Sequence, residues 1–127
     1  MKVLLSIKPE FAEQIFNGTK KYEFRRKVFK NREVKTVVVY ASSPVQQVIG
    51  EFDIESIIND DLASLWDQTK NHSGISKSFF LKYFSNKERG YAIKIKQTRR
   101  YQRGLSIRDD LNASPPQSFK YLQDSIS

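Results

Sequence analysis

The order of strand-like and helix-like segments is the feature that most constrains this fold. KTVVVYAS has the β-branched composition of a strand, and GYAIKIKQ alternates apolar and polar residues as a half-buried strand does. Helical spacing of apolar residues occurs in PEFAEQIFNG, DDLASLWDQTK and KSFFLKYF. The complete order reads β-α-β-β-β-α-α-β, followed by an extended piece, SPPQSFKYL. Short strands with helices between them predict an α+β domain around a curled sheet or partial barrel.

The length of the chain predicts a single domain over residues 1–127. The sequence has no internal repeat, no low-complexity segment and no internal linker. Regular β-α alternation and a glycine-rich phosphate loop are also missing, which argues against a doubly wound nucleotide-binding fold.

Composition excludes several kinds of chemistry. The sequence contains no cysteine, which removes disulfides, thiolate metal sites and cysteine nucleophiles. The apolar run in MKVLLSIKPEF is too short for a signal peptide, and no stretch has the length of a membrane span. We therefore expect a cytoplasmic protein that does not act in the membrane.

The charge of the chain predicts a polyanionic partner. The formal net charge is +8 at pH 7, which favours nucleic acid first and an anionic membrane surface second. One basic cluster, in KIKQTRRYQR, contains Lys94, Arg99 and Arg100 beside Tyr101. Cations next to an aromatic suit a phosphate track with a stacked base, although a charged edge strand that resists aggregation has the same pattern.

The segment FNGTKKYEFRRK holds a glutamate and two aromatics among its cations. If it forms a strand, alternation places Tyr22 and Phe24 on one face, in the core. Glu23 and Arg25 then share the other face with Lys20, which projects from the preceding turn, and this row lines a groove. Glu23 can orient its cationic neighbours through charge-assisted hydrogen bonds, or act as a base. An ordinary surface ion pair explains the same spacing.

The same segment carries a family resemblance. Gly18, Lys20, Glu23 and Arg25 match the G-x-K-x-x-E-x-R motif of ASCH domains, which belong to the PUA-like superfamily. The flanking SIKPEFAEQIFNG, VVVYASSPVQQVIGEF, GYAIKI and PPQSFKYL also resemble a prokaryotic and phage-associated branch of that family. The resemblance implies a PUA-like β-barrel with helices packed over the barrel openings, and a cleft lined by the motif.

The resemblance also implies an RNA-binding function in a cationic cleft, regulatory in transcription or translation. We expect single-stranded or looped RNA, whose bases are more accessible than those of an A-form helix. An interaction module with a protein partner remains a separate hypothesis.

The alternative is a hydrolase, because some ASCH members are described as ribonucleases. A bacterial branch resembles amidohydrolases of acylated cytidine, a modified nucleoside. That branch has a lysine at the position of Lys20, a threonine where this chain has Glu23, and a later glutamate for which Glu51 is a candidate. In an enzyme, Lys20, Glu23 and Glu51 would supply the acid and base groups.

Further candidates for RNA binding lie outside the motif. Lys8 precedes the first helix, where backbone N–H groups and a cation attract phosphate, although a solvated lysine is equally ordinary. Tyr40 and Ser42 end a strong strand and can bond a base or ribose. Gln117 and Ser118 line the cleft by resemblance to the family's tail.

Metal and cofactor signals are weak. His72 is the only histidine, and it lies in a predicted loop. The paired aspartates Asp60-Asp61 and Asp109-Asp110 resemble helix starts more than a metal site. We therefore predict no cofactor and no metal, except for a divalent cation if the protein is a nuclease.

Overall fold

A computed structural model describes residues 1–111, 113–116 and 119–122. The elements in chain order are β1 (Lys2–Ile7), α1 (Pro9–Asn17), β2 (Tyr22–Arg25), β3 (Thr36–Ala41), β4 (Gln47–Asp61), α2 (Leu62–Thr69), a 3-10 turn (Lys70–His72), α3 (Lys77–Tyr83), β5 (Arg89–Leu105) and β6 (Phe119–Leu122). The predicted order of elements is confirmed, and the extended tail contains β6.

The strands form one six-stranded sheet in the order β2-β5-β4-β3-β1-β6. Strands β1 and β3 are parallel, and the other neighbouring pairs are antiparallel. This arrangement confirms the α+β class.

The closed barrel is not confirmed, because β2 and β6 lie at opposite ends of the sheet order and no pairing joins them among the described residues. Both are only four residues long. The segment between β2 and β3 approaches β6 instead. The backbone N–H groups of Lys30 and Asn31 donate to the Tyr121 hydroxyl at 3.2 and 3.1 Å.

Strands β4 and β5 form a long hairpin with an irregular register. Its pairing runs from Val48 and Leu105 to Asp61 and Arg89, with three shifts of register on the way. Such irregularities bend a strand and increase its twist. The loop that joins the two strands contains α2 and α3.

Two apolar clusters pack the helices against the sheet. One packs α1 against the sheet, with Ala12 and Ile15 facing Val3, Val37 and Phe52 among others. The other packs α2 and α3 against β2 and β5; its buried members are Phe24, Leu65, Phe80, Phe84 and Ala92. Strand β2 contributes Phe24 and Tyr22 to the second cluster.

The end of α1 sets the path into β2. Gly18 has a φ of 89°, a left-handed conformation that glycine adopts without steric cost. The next backbone N–H groups, of Thr19 and Lys20, both donate to the Gln14 carbonyl at 3.0 Å. This turn fixes Lys20 at the start of β2. Within the described residues, no helix combines the length and apolar character needed to cross a bilayer.

Candidate functional site: a buried lysine in a cationic cavity

A cavity of about 190 Å³ opens between β1, α1, β2 and α3. Its walls are Ser6, Ile7, Lys8, Phe11, Lys20, Glu23, Phe24, Arg25, Ile75, Phe79 and Tyr83.

Lys20 is the most unusual group in this cavity, because only 2% of it is exposed. Its Nζ atom donates to the Ser73 carbonyl at 2.5 Å. It also lies 5.1 Å from the centroid of the Phe11 ring and 4.9 Å from that of Phe24. Burial lowers the pKa of Lys20 to about 8, and the charge of Glu23 opposes this shift. The amine therefore exchanges a proton close to physiological pH.

Glu23 and Arg25 form the opposite wall. Arg25 Nη1 donates to Glu23 Oε2 at 3.2 Å and to the Ser6 carbonyl at 3.3 Å. Burial raises the pKa of Glu23, while the charges of Arg25 and Lys20 oppose the rise. The glutamate fixes the guanidinium beside the cavity, as a charge-assisted hydrogen bond can.

The predicted register of β2 is confirmed. Phe24 packs edge-on against Phe80, with ring centroids 5.3 Å apart, and Tyr22 packs against the same cluster. Glu23 and Arg25 line the cavity. The one addition is that Phe24 also contacts the cavity, where its ring meets the Lys20 amine.

Lys8 is the other predicted residue at this site. It precedes α1, is exposed, and places its Nζ atom 5.9 Å from the centroid of the Phe79 ring. It therefore adds a cation at the cavity wall.

Sequence reasoning missed the aromatic walls. Phe11, Phe79 and Tyr83 all line the cavity. Their helical spacing was interpreted as packing, and no local signal separates a core aromatic from a cavity aromatic. The resemblance to ASCH domains was the only signal that could have directed attention to these helices.

Glu51 does not join this site. It lies on β4, where its carboxylate accepts from Arg99, Lys2 and Tyr101 at 2.7, 3.2 and 2.7 Å. Burial by itself would raise the pKa of Glu51. Hydrogen bonds from Arg99, Tyr101 and Lys2 outweigh this effect and lower the pKa below its usual value. Its register partner Val38 belongs to an apolar cluster apart from the cavity. Lys20 and Glu23 line the cavity together, and Glu51 does not line it.

Tyr40 and Ser42 also lie outside the cavity walls. Tyr40 is buried in the cluster that contains Leu4 and Val38, because alternation along β3 turns it away from the α1 side. The backbone N–H of Ser42 donates to the Ile7 carbonyl at 3.0 Å. Both residues have structural contacts here.

The basic cluster on β5 is largely neutralised. Lys94 pairs with Glu55 at 2.9 Å and Arg99 with Asp53 at 2.7 Å. Arg100 pairs with a glutamate of α1 at 2.5 Å and lies over the ring of Phe16. None of the three lines the cavity. Acidic neighbours thus offset the charge of the predicted phosphate track.

Two predictions concern the tail and metals. Gln117 and Ser118 lie outside the described residues. The preceding Pro116 accepts a hydrogen bond from Ser6 Oγ at 2.9 Å, which brings the tail beside β1. In the described part of the chain, no three His, Cys, Asp or Glu side chains are grouped as a metal site would need.

The fold and the cavity together define a class: a small α+β domain in which a turn after α1 places a Lys–Glu–Arg set in a pocket between the sheet and its helices. The family profile of the ASCH domain matches residues 5–99. The chain belongs to the ASCH domain family.

Relatives of known structure and name agree with this assignment. The crystal structure of ASCH from Zymomonas mobilis superimposes with a TM-score of 0.89 and 28% identity, covering 97% of this chain and 88% of that one. An ASCH domain-containing ribonuclease of the same species is 30% identical over 96% of this chain and 84% of its own length. The large ribosomal subunit protein uL22 of Ureaplasma parvum is 28% identical over 95% of this chain. The match spans 39% of that ribosomal protein's length.

Proposed function

We propose that this protein binds single-stranded or looped RNA and takes one nucleotide of it into the cationic cavity. The observation that carries this proposal is the combination of Lys8, Lys20 and Arg25 with aromatic rings around one small space. A nucleotide presents the same two features, an anionic phosphate and a flat ring.

The cavity offers a separate contact for each part of a nucleotide. Arg25 is held by Glu23, so its guanidinium is in place for a phosphate or a base edge. Phe79 is 38% exposed and offers a ring face on which a base can stack. Only an unpaired base can reach such a pocket, which is why single strands and loops are favoured over duplexes. A regulatory role in transcription or translation is the finer part of this proposal.

RNA titrations test the proposal. Wild type should bind a short single-stranded RNA with an affinity that falls as salt rises, because neutralised phosphates release counterions. Lys8→Gln should weaken binding, since it removes a cation of the cavity wall. Lys96→Gln is a matched control, an exposed lysine outside the cavity. Absence of binding at low salt, or equal weakening by the two variants, would contradict the proposal.

Ribonuclease activity is the second candidate, and the lowered pKa of Lys20 favours it. A lysine with a pKa of about 8 is partly neutral near physiological pH and can act as a general base. The Zymomonas mobilis relative is named as a ribonuclease, which supports this second candidate. Glu51 has no place in this scheme.

The reaction would proceed as an internal transfer of the phosphodiester. Neutral Lys20 takes the proton of a ribose 2′-hydroxyl, and the oxygen attacks the adjacent phosphorus. The bond from phosphorus to the 5′ oxygen breaks, and that oxygen receives the proton from the lysine. The products are a 2′,3′-cyclic phosphate and a 5′-hydroxyl, while Arg25 stabilises the charge on the phosphoryl oxygens.

Labelled substrates test this candidate. Wild type should cleave RNA but leave DNA and 2′-O-methyl RNA intact, because both lack the attacking hydroxyl. Lys20→Met should abolish cleavage, and Lys96→Met should not. Cleavage of the 2′-O-methyl strand would exclude this mechanism, and no cleavage of RNA, with or without Mg²⁺ or Mn²⁺, would leave RNA binding as the function.

A further inference from the structure

A second cationic surface lies beyond the end of β2, where residues of the following segment, β5 and β6 line one groove. This basic groove has a volume of about 570 Å³, three times that of the cavity. Its walls are Arg26, Lys27, Val28, Lys30, Asn59, Lys87, Arg89, Tyr91, Phe119 and Tyr121. Five of these ten residues are cationic and none is acidic.

The cations of the basic groove differ from Lys94, Arg99 and Arg100, which form ion pairs with carboxylates. In the described part of the chain, none of the five forms an ion pair with a carboxylate. Glu88 lies between two of them in sequence but does not line the groove. The groove therefore brings together five cations that have no ion-pair partner among the described residues.

The two arginines of the groove are fixed by neutral partners. Arg26 Nη1 donates to the carbonyls of Tyr83 and Ser85 at 2.8 and 2.9 Å, and Arg89 Nη2 donates to the Asn59 carbonyl at 3.1 Å. These bonds hold each guanidinium in position. Asp61 is the register partner of Arg89, and hydrogen bonds from Ser64 together with the Arg89 charge lower the pKa of its carboxyl, but the two side chains form no ion pair. Preorganised arginines of this kind suit phosphate recognition.

The groove also holds aromatic rings. Tyr91, Phe119 and Tyr121 line it, and Tyr121 is 38% exposed. Fixed cations with interleaved aromatics are the features by which single-stranded nucleic acid is bound without sequence preference. A purely inorganic polyanion would use the cations alone.

The groove and the cavity adjoin at the end of β2. Arg25 lines the cavity, and the next residue, Arg26, lines the groove. Tyr83 connects the two, because it lines the cavity while its carbonyl accepts from Arg26. The cavity and the groove are therefore neighbouring sites that share Tyr83 as a contact.

We infer that the basic groove binds the ribose-phosphate backbone of the RNA strand that flanks the nucleotide in the cavity. The inference rests on the proposed RNA-binding function and adds the surface that holds the rest of the strand. The cavity then selects one nucleotide, and the groove supplies length-dependent and salt-dependent affinity.

A charge-removal experiment tests this assignment. The groove variant is Lys27→Gln, Lys30→Gln and Lys87→Gln in one chain. The matched control is Lys70→Gln, Lys96→Gln and Arg103→Gln, which removes the same charge at exposed positions outside the groove. Affinities are measured for a trinucleotide and for a single-stranded RNA of about 12 nucleotides, near the site size of small single-strand binders.

The groove variant should lose affinity for the long strand and keep it for the trinucleotide. At about 0.7 per phosphate contact, three lost contacts lower the slope of log K against log salt by about 2. Between about 50 and 200 mM salt, the wild type should therefore lose roughly 20-fold more affinity than the groove variant. The control should behave like wild type.

The outcomes separate this inference from the proposed function. Equal loss in the control and the groove variant would overturn the groove and leave only a diffuse positive field. Unchanged long-strand binding by the groove variant would also overturn it. If wild type ignores the trinucleotide but the groove variant still loses long-strand binding, the cavity proposal fails and the groove stands.

Discussion

The Nζ atom of Lys20 lies 4.9 Å from the centroid of the Phe24 ring, inside a cavity where only 2% of the lysine is exposed. A ring face attracts a cation, but it replaces little of the hydration that an ammonium loses on burial. Lys20 is therefore held in a place where losing its proton is easy. Phe24 belongs to the apolar cluster packed against α3, and it also forms one wall of the cavity beside the Lys20 amine.

This relationship predicts a pH-dependent stability. The folded pKa of Lys20 is about 8 and the ordinary value is 10.5. Between these values the unfolded chain still binds a proton that the folded chain has lost, so the free energy of unfolding should rise with pH. The lysine's contribution is about 3 kcal/mol across this window.

Denaturant unfolding of wild type and Lys20→Met measures this rise. The stability advantage of the methionine variant over wild type should be largest below pH 8 and shrink towards pH 10.5. Lys96→Met, at an exposed position, should show no such window. A constant difference between wild type and Lys20→Met would mean that the amine is not desolvated.

Truncation of Phe24 tests the register of β2. Phe24 is 6% exposed and packs against Phe80 and Phe84. Phe24→Ala should lower the free energy of unfolding by about 3–5 kcal/mol, as loss of a buried ring does. Phe79→Ala is the comparison. Phe79 is 38% exposed, so its truncation should lower the free energy of unfolding clearly less. Equal losses for the two variants would show that Phe24 is not a core residue.

Removal of Arg25 should destabilise the protein through Glu23. The arginine is the hydrogen-bond partner of a glutamate that is only 6% exposed. Arg25→Met should cost about 3–5 kcal/mol near neutral pH, because it leaves a buried carboxylate without that partner. From its position on β2 alone, facing the cleft, Arg25 would be expected to contribute less to the free energy of unfolding.

The double variant isolates the cause. Adding Glu23→Gln to Arg25→Met should recover much of the lost stability, since the unpaired charge is gone. The stability loss in Arg25→Met should also become smaller as the pH falls below neutral, because burial raises the pKa of Glu23 and its carboxyl then takes up a proton more readily. No recovery in the double variant would show that the arginine acts by packing instead.

Glu51 should be dispensable for any activity of the cavity. Its carboxylate is bonded to Arg99, Lys2 and Tyr101 and does not line the cavity. Glu51→Gln should therefore lower stability by about 1.5–3 kcal/mol, as loss of charged hydrogen bonds does, while RNA binding and cleavage remain. If Glu51→Gln folds but has lost its activity, Glu51 does take part in the function of the cavity.

The sequence by itself determined the order of the elements and the register of β2. The apolar periods of 2 and 3.6 residues are local, so the strands and helices were readable, and alternation placed Glu23 and Arg25 opposite Phe24. Gly18 marked the end of α1, which put Lys20 next to that row. These features depend on neighbours within a few residues along the chain.

Only the tertiary structure decided which distant residues meet. The separation of Glu51 from Lys20, the burial of Tyr40 and the pairing of Arg99 with Asp53 all depend on contacts between strands. The aromatic walls from α1 and α3 and the open edge between β2 and β6 have the same origin. Side-chain periodicity fixes which face of a strand a residue occupies, but packing between elements decides what that face meets.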